Sequence, residues 1–235
     1  MLVAPVVIET SLLHTVLTVV LLVICLGIHE AAHAWVAWKC GDSTARDLGR
    51  ITLNPLAHID PLMTVLLPVI LLWSSNGQFV FGGAKPVPVN FHRLRHPWRD
   101  MSLVAVAGPA SNLALAFLFM AAQHFFVTTG LYNGANESEY LRRLDLLPSV
   151  LKGAVYFNLA LTLFNMLPIP PLDGSRLMAW LLPDSLRESY VAIGRFGLLI
   201  VILVASSGEF TAYLLGAVRS LSRQIETVVT LGGAW

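Results

Sequence analysis

The chain has 235 residues, of which 56% are hydrophobic and only 12% are charged, and its mean hydropathy is +0.70. Ordinary globular chains carry about 25% charged residues, so the composition excludes a water-soluble enzyme, and it also excludes a disordered chain. The formal net charge of +1 excludes a nucleic-acid-binding protein, which needs a basic face. Cys25 and Cys40 lie too far apart along one predicted helix to form a disulfide bond.

Long apolar runs with few or no charged residues predict the membrane-spanning helices, because about 20 apolar residues cross a bilayer. The predicted spans, in chain order, are about residues 8–38, Met101–Thr129, Gly153–Leu172 and about Val191–Ser207. No basic residue precedes the first run, which predicts a retained helix rather than a signal peptide. Pro61–Trp73 is equally apolar but too short to span, which favours a re-entrant segment. Phe210–Trp235 is interrupted by charges and is predicted to be an interfacial helix.

A Gly- and Pro-punctuated stretch, Phe79–Asn90, follows the short apolar segment. Its pattern predicts a short β element. Pro86 and Pro88 lack a backbone donor, so this element cannot be an interior strand. It would therefore offer an edge on which another extended chain can pair. A rigid, proline-stiffened connector is the alternative.

Basic residues are distributed unequally among the loops. Nine Lys and Arg residues lie in segments 39–60, 76–100 and 174–190, two lie in loop 130–149, and none lies in the first ten residues. This bias predicts a cell-membrane protein with its N-terminus outside. We therefore predict one all-α polytopic membrane domain over 1–235, with four to five transmembrane helices, one re-entrant segment and a small membrane-associated β element. Its core covers about 8–180, and its C-terminal helices cover about 190–231.

The first apolar run contains the motif His29-Glu30-Ala31-Ala32-His33. Residues i and i+4 of a helix lie roughly 40° apart around the axis and about 6 Å apart along it. Both imidazoles can therefore bind one Zn²⁺, and Glu30 can act as the general base on a water molecule. Ionisable groups within an apolar helix cost several kcal/mol unless they have a partner. The alternative is that they bond only to polar groups on neighbouring helices.

A catalytic zinc site usually has three protein ligands, so one ligand remains to be found. The candidates are His14, His58, His92, His96, His124, Asp60 and Asp173. His14 and His124 are predicted near the opposite membrane face from the motif. Asp173 ends the run Gly153–Leu172, which crosses the membrane in the same direction as the first helix. Its predicted depth therefore matches that of His29 and His33, near the cytoplasmic side.

Asp173 also ends a proline-rich element, Asn165-Met166-Leu167-Pro168-Ile169-Pro170-Pro171-Leu172-Asp173-Gly174. The motif HExxH in a first transmembrane helix, followed by this Asn-x-x-Pro-x-Pro-x-Leu-Asp-Gly pattern, resembles the site-2 protease family of intramembrane zinc metalloproteases. The segments Gly82–Asn90 and Gly108-Pro109-Ala110-Ser111-Asn112 also resemble elements of that family. The resemblance covers about residues 20–180. The chain has no room for the PDZ or CBS domains of many members, so a minimal catalytic core is expected.

The resemblance implies one zinc ion held by His29, His33 and Asp173, with Glu30 as the catalytic residue. It further implies that a transmembrane protein substrate unwinds and pairs with the predicted β element, which contains Lys85, Pro86 and Val87. Asn112 would contact the substrate or the oxyanion, although its Gly-Pro-Ala-Ser-Asn run is also a good helix-packing surface. Asn165 would make a second polar contact or would bond to the broken backbone. His58, in a loop similar to one of small members, is interpreted as structural.

Three other functions remain open from the sequence. An integral-membrane CAAX-type metalloprotease would use a Glu as its third ligand, for which the candidates are Glu188, Glu209 and Glu226. A metal transporter would use intramembrane His and Glu side chains as an ion path. A catalytically silent relative would only bind transmembrane helices. The lipid bilayer is a partner in each case, and no nucleic acid is expected.

Overall fold

A computed structural model describes residues 4–74, 82–129 and 139–231. Within these ranges the regular structure is helical and contains no strand. The α-helices are α1 (Ala4–Lys39), α2 (Thr44–Asp47), α3 (Leu67–Ser74), α4 (Pro97–Thr128), α5 (Glu139–Asn165), α6 (Asp173–Leu181), α7 (Asp184–Ala192), α8 (Gly197–Ala205) and α9 (Gly208–Leu231). Single turns of 3₁₀-helix cover Pro55–His58, Phe91–Arg93 and Ile193–Phe196, and a π-helix covers Pro61–Leu66.

Four helical stretches are long and apolar enough to cross a membrane: Leu13–Lys39, Pro97–Thr128, Leu146–Asn165 and Asp184–Ala205. They correspond to the four apolar runs of the sequence, which confirms an all-helical architecture with four candidate membrane spans. The third run ends earlier than predicted. α5 stops at Asn165 because Pro168, Pro170 and Pro171 lack the backbone donors that would continue the helix.

The long helices α1, α4 and α5 pack side by side. α1 and α5 are parallel, since His14 contacts Ser149 at 3.2 Å and Cys25 accepts a hydrogen bond from Asn158 at 3.2 Å. α4 is antiparallel to both. Its Pro109 carbonyl accepts from Thr162 Oγ1 at 3.2 Å, near the C-terminal end of α5. The C-terminal halves of α1 and α5 therefore lie at the same end of the bundle as the N-terminal half of α4.

The amphipathic helix α9 packs on α5 and α4 instead of standing apart from the bundle. Val218 and Ile225 are 1% and 2% exposed and join a core that contains Val155, Leu159 and Met120. The charges of the predicted interfacial helix occupy other faces, and Arg223 and Glu226 are exposed. The apolar stripe of α9 is therefore buried against the bundle, while its interfacial position stays a prediction.

Two predicted features of the loop region are not confirmed. The re-entrant segment begins as a π-helix and continues as α3 to Ser74, and residues 75–81 lie outside the described part of the chain. Residues 82–90 have no regular secondary structure, while the start of the predicted β element falls outside the description. The N–H of Lys85 donates to the His58 carbonyl at 2.7 Å, and that of Asn90 donates to Asp42 at 2.6 Å. These donors are therefore not available for a strand ladder.

Candidate metal centre

His29, His33 and Asp173 meet at the end of the bundle where α1 finishes and α6 begins. The two Nε2 atoms are 3.0 Å apart, and Asp173 Oδ2 lies 3.4 Å from His29 Nε2 and 3.3 Å from His33 Nε2. His29 and His33 are 4% and 7% exposed. Among the described residues, these three form a group of His, Cys, Asp or Glu side chains close enough to share a metal ion, since their ligand atoms lie within 4.8 Å of one another.

The donor set fits Zn²⁺. Ligand atoms at about 2.0–2.1 Å from a tetrahedral zinc are about 3.3–3.4 Å from each other, which is close to the three separations found here. Two imidazoles and one carboxylate leave a fourth position for water, as in catalytic zinc sites. The prediction from depth and spacing that Asp173 completes the group is therefore supported by its position.

Both imidazoles are oriented by groups on α4. His33 Nδ1 lies 2.6 Å from the carbonyl oxygen of Val104, and it must carry a proton to donate there. This leaves the lone pair on Nε2, where a metal needs it.

Asn112 holds the second ring. It is fully buried, with its side-chain amide 3.0 Å from His29 Nδ1, while its Oδ1 is buried without a hydrogen-bond partner. Rotating the carboxamide by half a turn brings Oδ1 to His29 Nδ1, where it accepts the ring proton and is satisfied. The unpartnered oxygen thus fits a His29 whose Nε2 is free to bind metal. Asn112 lies behind the ring and does not line the cavity described below, so its predicted contact with substrate stays a prediction.

Gly108 allows α4 to approach the two rings closely. A Cβ atom at this position would lie 2.4 Å from His33 Nε2 and 2.6 Å from His29 Nε2. Contacts this short do not occur between a side chain and its neighbours, so only glycine fits here. The Gly-Pro-Ala-Ser-Asn run therefore contributes to the centre both by packing and through Asn112.

Asp173 is placed by the proline-rich loop that follows α5. It is the first residue of α6, and Gly174 packs so tightly that a Cβ there would lie 2.2 Å from the Met166 carbonyl oxygen. Asp173 Oδ2 thereby faces the Nε2 atoms of both rings, and its carboxylate is an anionic oxygen ligand of the kind that a metal requires.

Glu30 lies beside the cluster and is bound to the segment 82–90. Its Oε2 accepts a hydrogen bond from the Val87 N–H at 3.0 Å. A cavity of about 180 Å³ is lined by His29, Glu30, His33 and Asp173, with Pro86, Val87 and Asn165; we call it the central cavity. Of the predicted substrate-binding residues, Pro86, Val87 and Asn165 thus line the space beside the candidate ligands. Lys85 is not among the lining residues of this cavity. Its backbone N–H and carbonyl form hydrogen bonds to His58 and Arg50.

Two buried charged residues, Asp42 and Arg50, anchor that segment and were not singled out from the sequence. Asp42 is fully buried and accepts from the Asn90 N–H at 2.6 Å. Arg50 is 7% exposed and donates through Nη2 to the Lys85 carbonyl at 2.6 Å. They fix the two ends of the stretch that crosses Glu30. The sequence does not predict these contacts, because Asn90 lies 48 residues from Asp42 and Lys85 lies 35 residues from Arg50.

The other predicted ligand candidates lie elsewhere. His14 contacts Ser149, His58 contacts the Thr52 carbonyl, and Asp60 caps the π-helix. His58 is therefore structural, as interpreted. His124 lines a separate cavity with Lys152 and Glu226, and the candidate cluster includes neither His92 nor His96. The alternative third ligands Glu188, Glu209 and Glu226 do not join it either, within the part of the chain described.

Comparison with known proteins agrees with this centre. Three curated relatives are each named "Putative zinc metalloprotease". YwhC of Bacillus subtilis is 36% identical over 83% of this chain and 83% of its own length. Rip2 of Mycolicibacterium smegmatis is 28% identical over 76% of this chain and 62% of its own, and Rip2 of Mycobacterium tuberculosis strain H37Rv is 27% identical over 83% and 68%. No family model and no solved structure matches the chain. On the identity to YwhC and the shared length, the chain belongs to the site-2 protease family of zinc metalloproteases.

Proposed function

We propose that this protein is an intramembrane zinc endopeptidase that hydrolyses peptide bonds in or near transmembrane segments of other membrane proteins. His29, His33 and Asp173 hold one zinc ion, and Glu30 is the catalytic residue. The observation that carries the proposal is that the three ligand atoms lie 3.0–3.4 Å apart beside a glutamate in one cavity. The names of the relatives support a zinc metalloprotease, and four candidate spans support action at a membrane.

A zinc ion held by these side chains would supply a Lewis acid that polarises the scissile carbonyl and makes water more acidic. The neighbouring residues then have separate tasks. Glu30 Oε2 is engaged by the Val87 N–H, which leaves Oε1 to accept a proton from the attacking water. The same carboxyl returns the proton to the leaving nitrogen as the carbon–nitrogen bond breaks. A product carboxyl and a product amine result.

Asn165 supplies a further polar group in the central cavity. Its carboxamide makes no hydrogen bond to other described side chains or backbone groups, unlike that of Asn112. It is therefore free to bond to the backbone of an extended substrate. This assigns the two predicted asparagines different roles: Asn165 contacts substrate, and Asn112 orients His29.

Reconstitution into liposomes with a single-span substrate tests the proposal directly. The native chain is expected to release two fragments, and Glu30→Gln is expected to bind zinc but to release none, since an amide cannot take the proton. Glu188→Gln is the matched control, because Glu188 is exposed on α7 and away from the cluster. It should cleave at the native rate, whereas a CAAX-type centre that used Glu188 would lose zinc.

The two non-proteolytic alternatives give different results in the same vesicles. A transporter would move zinc into them whether or not Glu30 is replaced. A catalytically silent relative would bind the substrate without fragments from the native chain. Cleavage that persists in Glu30→Gln would refute the role of this glutamate.

We further propose that the N-terminus faces outward and that the centre lies toward the cytoplasm. The basic loop residues Lys39, Arg46 and Arg50 follow α1 directly and lie at the same end as the cluster, which supports this orientation. A reporter enzyme that folds only outside the cytoplasm, fused to the N-terminus of the full chain, should be active. An inactive reporter on a correctly inserted chain would reverse the orientation.

A further inference from the structure

A second cavity of about 340 Å³ adjoins the central cavity, between the start of α4 and the helices α6 and α7. We call it the side cavity. Its walls are mostly apolar and aromatic, and they include Phe91, Trp98, Met101, Pro170, Tyr190 and Val191. An apolar cavity of about 150 Å³ is enough to bind benzene, so the side cavity can hold a side chain as large as that of phenylalanine.

The two cavities are continuous along one wall. Pro171 and Arg176 line both of them, and Asp173 lies between these residues in the sequence. A polypeptide that passes the candidate metal ligands in an extended conformation therefore runs past the mouth of the side cavity. Successive side chains of an extended chain point in opposite directions, so one of them can enter.

The two hydroxyl groups in the wall of the side cavity, of Tyr190 and Ser175, are already paired. The Tyr190 hydroxyl donates to the Pro168 carbonyl at 2.8 Å, and the Ser175 hydroxyl donates to the Leu172 carbonyl at 2.7 Å. The rings of Phe91 and Trp98 meet at 4.8 Å between centroids. A polar side chain that entered would lose its hydration and find few partners, whereas an apolar one would gain from burial.

Arg176 at the shared wall has a different character. Its described hydrogen bond is to the sulfur of Met101 at 3.1 Å, which is a weak acceptor, and it forms no ion pair with a described carboxylate. The guanidinium is exposed and can donate to carbonyl oxygens of a chain that lies across the mouth.

We propose that the side cavity is the subsite that selects substrates with a large apolar side chain, of leucine, methionine or phenylalanine size, beside the scissile bond. Arg176 holds the backbone of the same segment. The inference rests on the proposed function, since it assigns the specificity of the same centre. It is carried by the continuity of the two cavities through Pro171 and Arg176.

The test uses the full chain in liposomes and a substrate series with Ala, Leu, Phe, Trp or Asn at each position that flanks the cleaved bond. At one position Leu and Phe should give kcat/KM at least about 10-fold above Ala. Asn, which is polar and cannot form an ion pair with Arg176, should be cleaved worst. Val191→Trp fills the cavity from a residue that is 48% exposed, so it should fold and shift the preference toward Ala. Val228→Trp on α9, at a residue 60% exposed, is the matched control and should keep the native preference.

Trp98→Ala enlarges the same cavity and should shift the preference the opposite way, toward Phe and Trp. Trp98→Ala therefore still tests the subsite if Val191→Trp folds poorly. The zinc content of each variant monitors its folding. Cleavage without a side-chain preference, or a preference that neither variant changes, would overturn the subsite while leaving the protease intact. Failure of the native chain to cleave any substrate would instead refute the proposed function.

Discussion

Gly108 packs directly against the two imidazoles of the metal centre, and replacing it tests the centre without removing a ligand. In Gly108→Ala, the new methyl carbon would start 2.4 Å from His33 Nε2, where ordinary contact begins at 3.4 Å. The ring or α4 must therefore move by about 1 Å. Metal–ligand distances tolerate only about 0.2 Å, so a shift of this size separates the ligand atoms.

The rings cannot easily turn away, because Val104 and Asn112 hold their Nδ1 atoms. We expect the zinc affinity of Gly108→Ala to fall at least about 100-fold, the upper end for changes around metal ligands, and cleavage to be lost with it. Overpacking costs typically 1–3 kcal/mol, that is about one to two tenfold changes in the folding equilibrium, so we expect the bundle itself to assemble.

The assay is the zinc content of the detergent-purified protein, followed by competition with a chromogenic chelator. Gly153→Ala on α5 is the matched control, because a Cβ there would have no neighbour within 4 Å apart from its own helix backbone, and it should bind zinc as the native chain does. Native zinc content and affinity in Gly108→Ala would refute the argument that α4 packs against the two ligands.

Three further predictions follow from the same geometry. Asn112→Ala should lower zinc affinity about 10- to 100-fold by releasing His29 Nδ1, as measured by chelator competition; native affinity would show that Asn112 does not orient the ring. Arg50→Ala should lower kcat/KM about 10-fold at unchanged zinc content, because the Lys85 carbonyl loses a charged donor, with Arg50→Lys recovering part of the rate; loss of zinc together with the rate would instead indicate a general folding defect. The native chain in detergent with free zinc 1,000-fold above Kd should lose about 10 °C of apparent melting temperature when a chelator removes the zinc. The same treatment should leave the melting temperature of Asp173→Ala unchanged. An equal drop in both proteins would mean that zinc stabilises the protein elsewhere.

Much of the centre follows from the sequence because its determinants are local. The spacing of His29 and His33 on one helix fixes their relative position, and charge-free run lengths place Asp173 at a matching depth. The prolines after Asn165 predict a broken helix, and the helix does end there. These inferences depend on helix geometry and bilayer thickness rather than on tertiary detail.

Contacts that depend on two distant segments could not be predicted. The Val87 N–H to Glu30 bond and the role of Gly108 emerge only when α1, α4 and the loop are packed together. In α9 the spacing of Leu214, Val218, Leu221 and Ile225 marks one apolar stripe. That stripe indicates packing against the bundle, which the positions of the charged residues alone do not predict.

The anchoring of the segment over Glu30 limits how that segment can move. Arg50 fixes the carbonyl of Lys85, and Asp42 fixes the N–H of Asn90. Lys85 is also held through its own N–H, which donates to the His58 carbonyl. Val87 lies between these anchored residues and donates to Glu30, so the anchors keep its N–H beside the carboxylate. Loss of an anchor would therefore free Glu30 from its backbone donor while leaving the helices that carry the metal ligands in place.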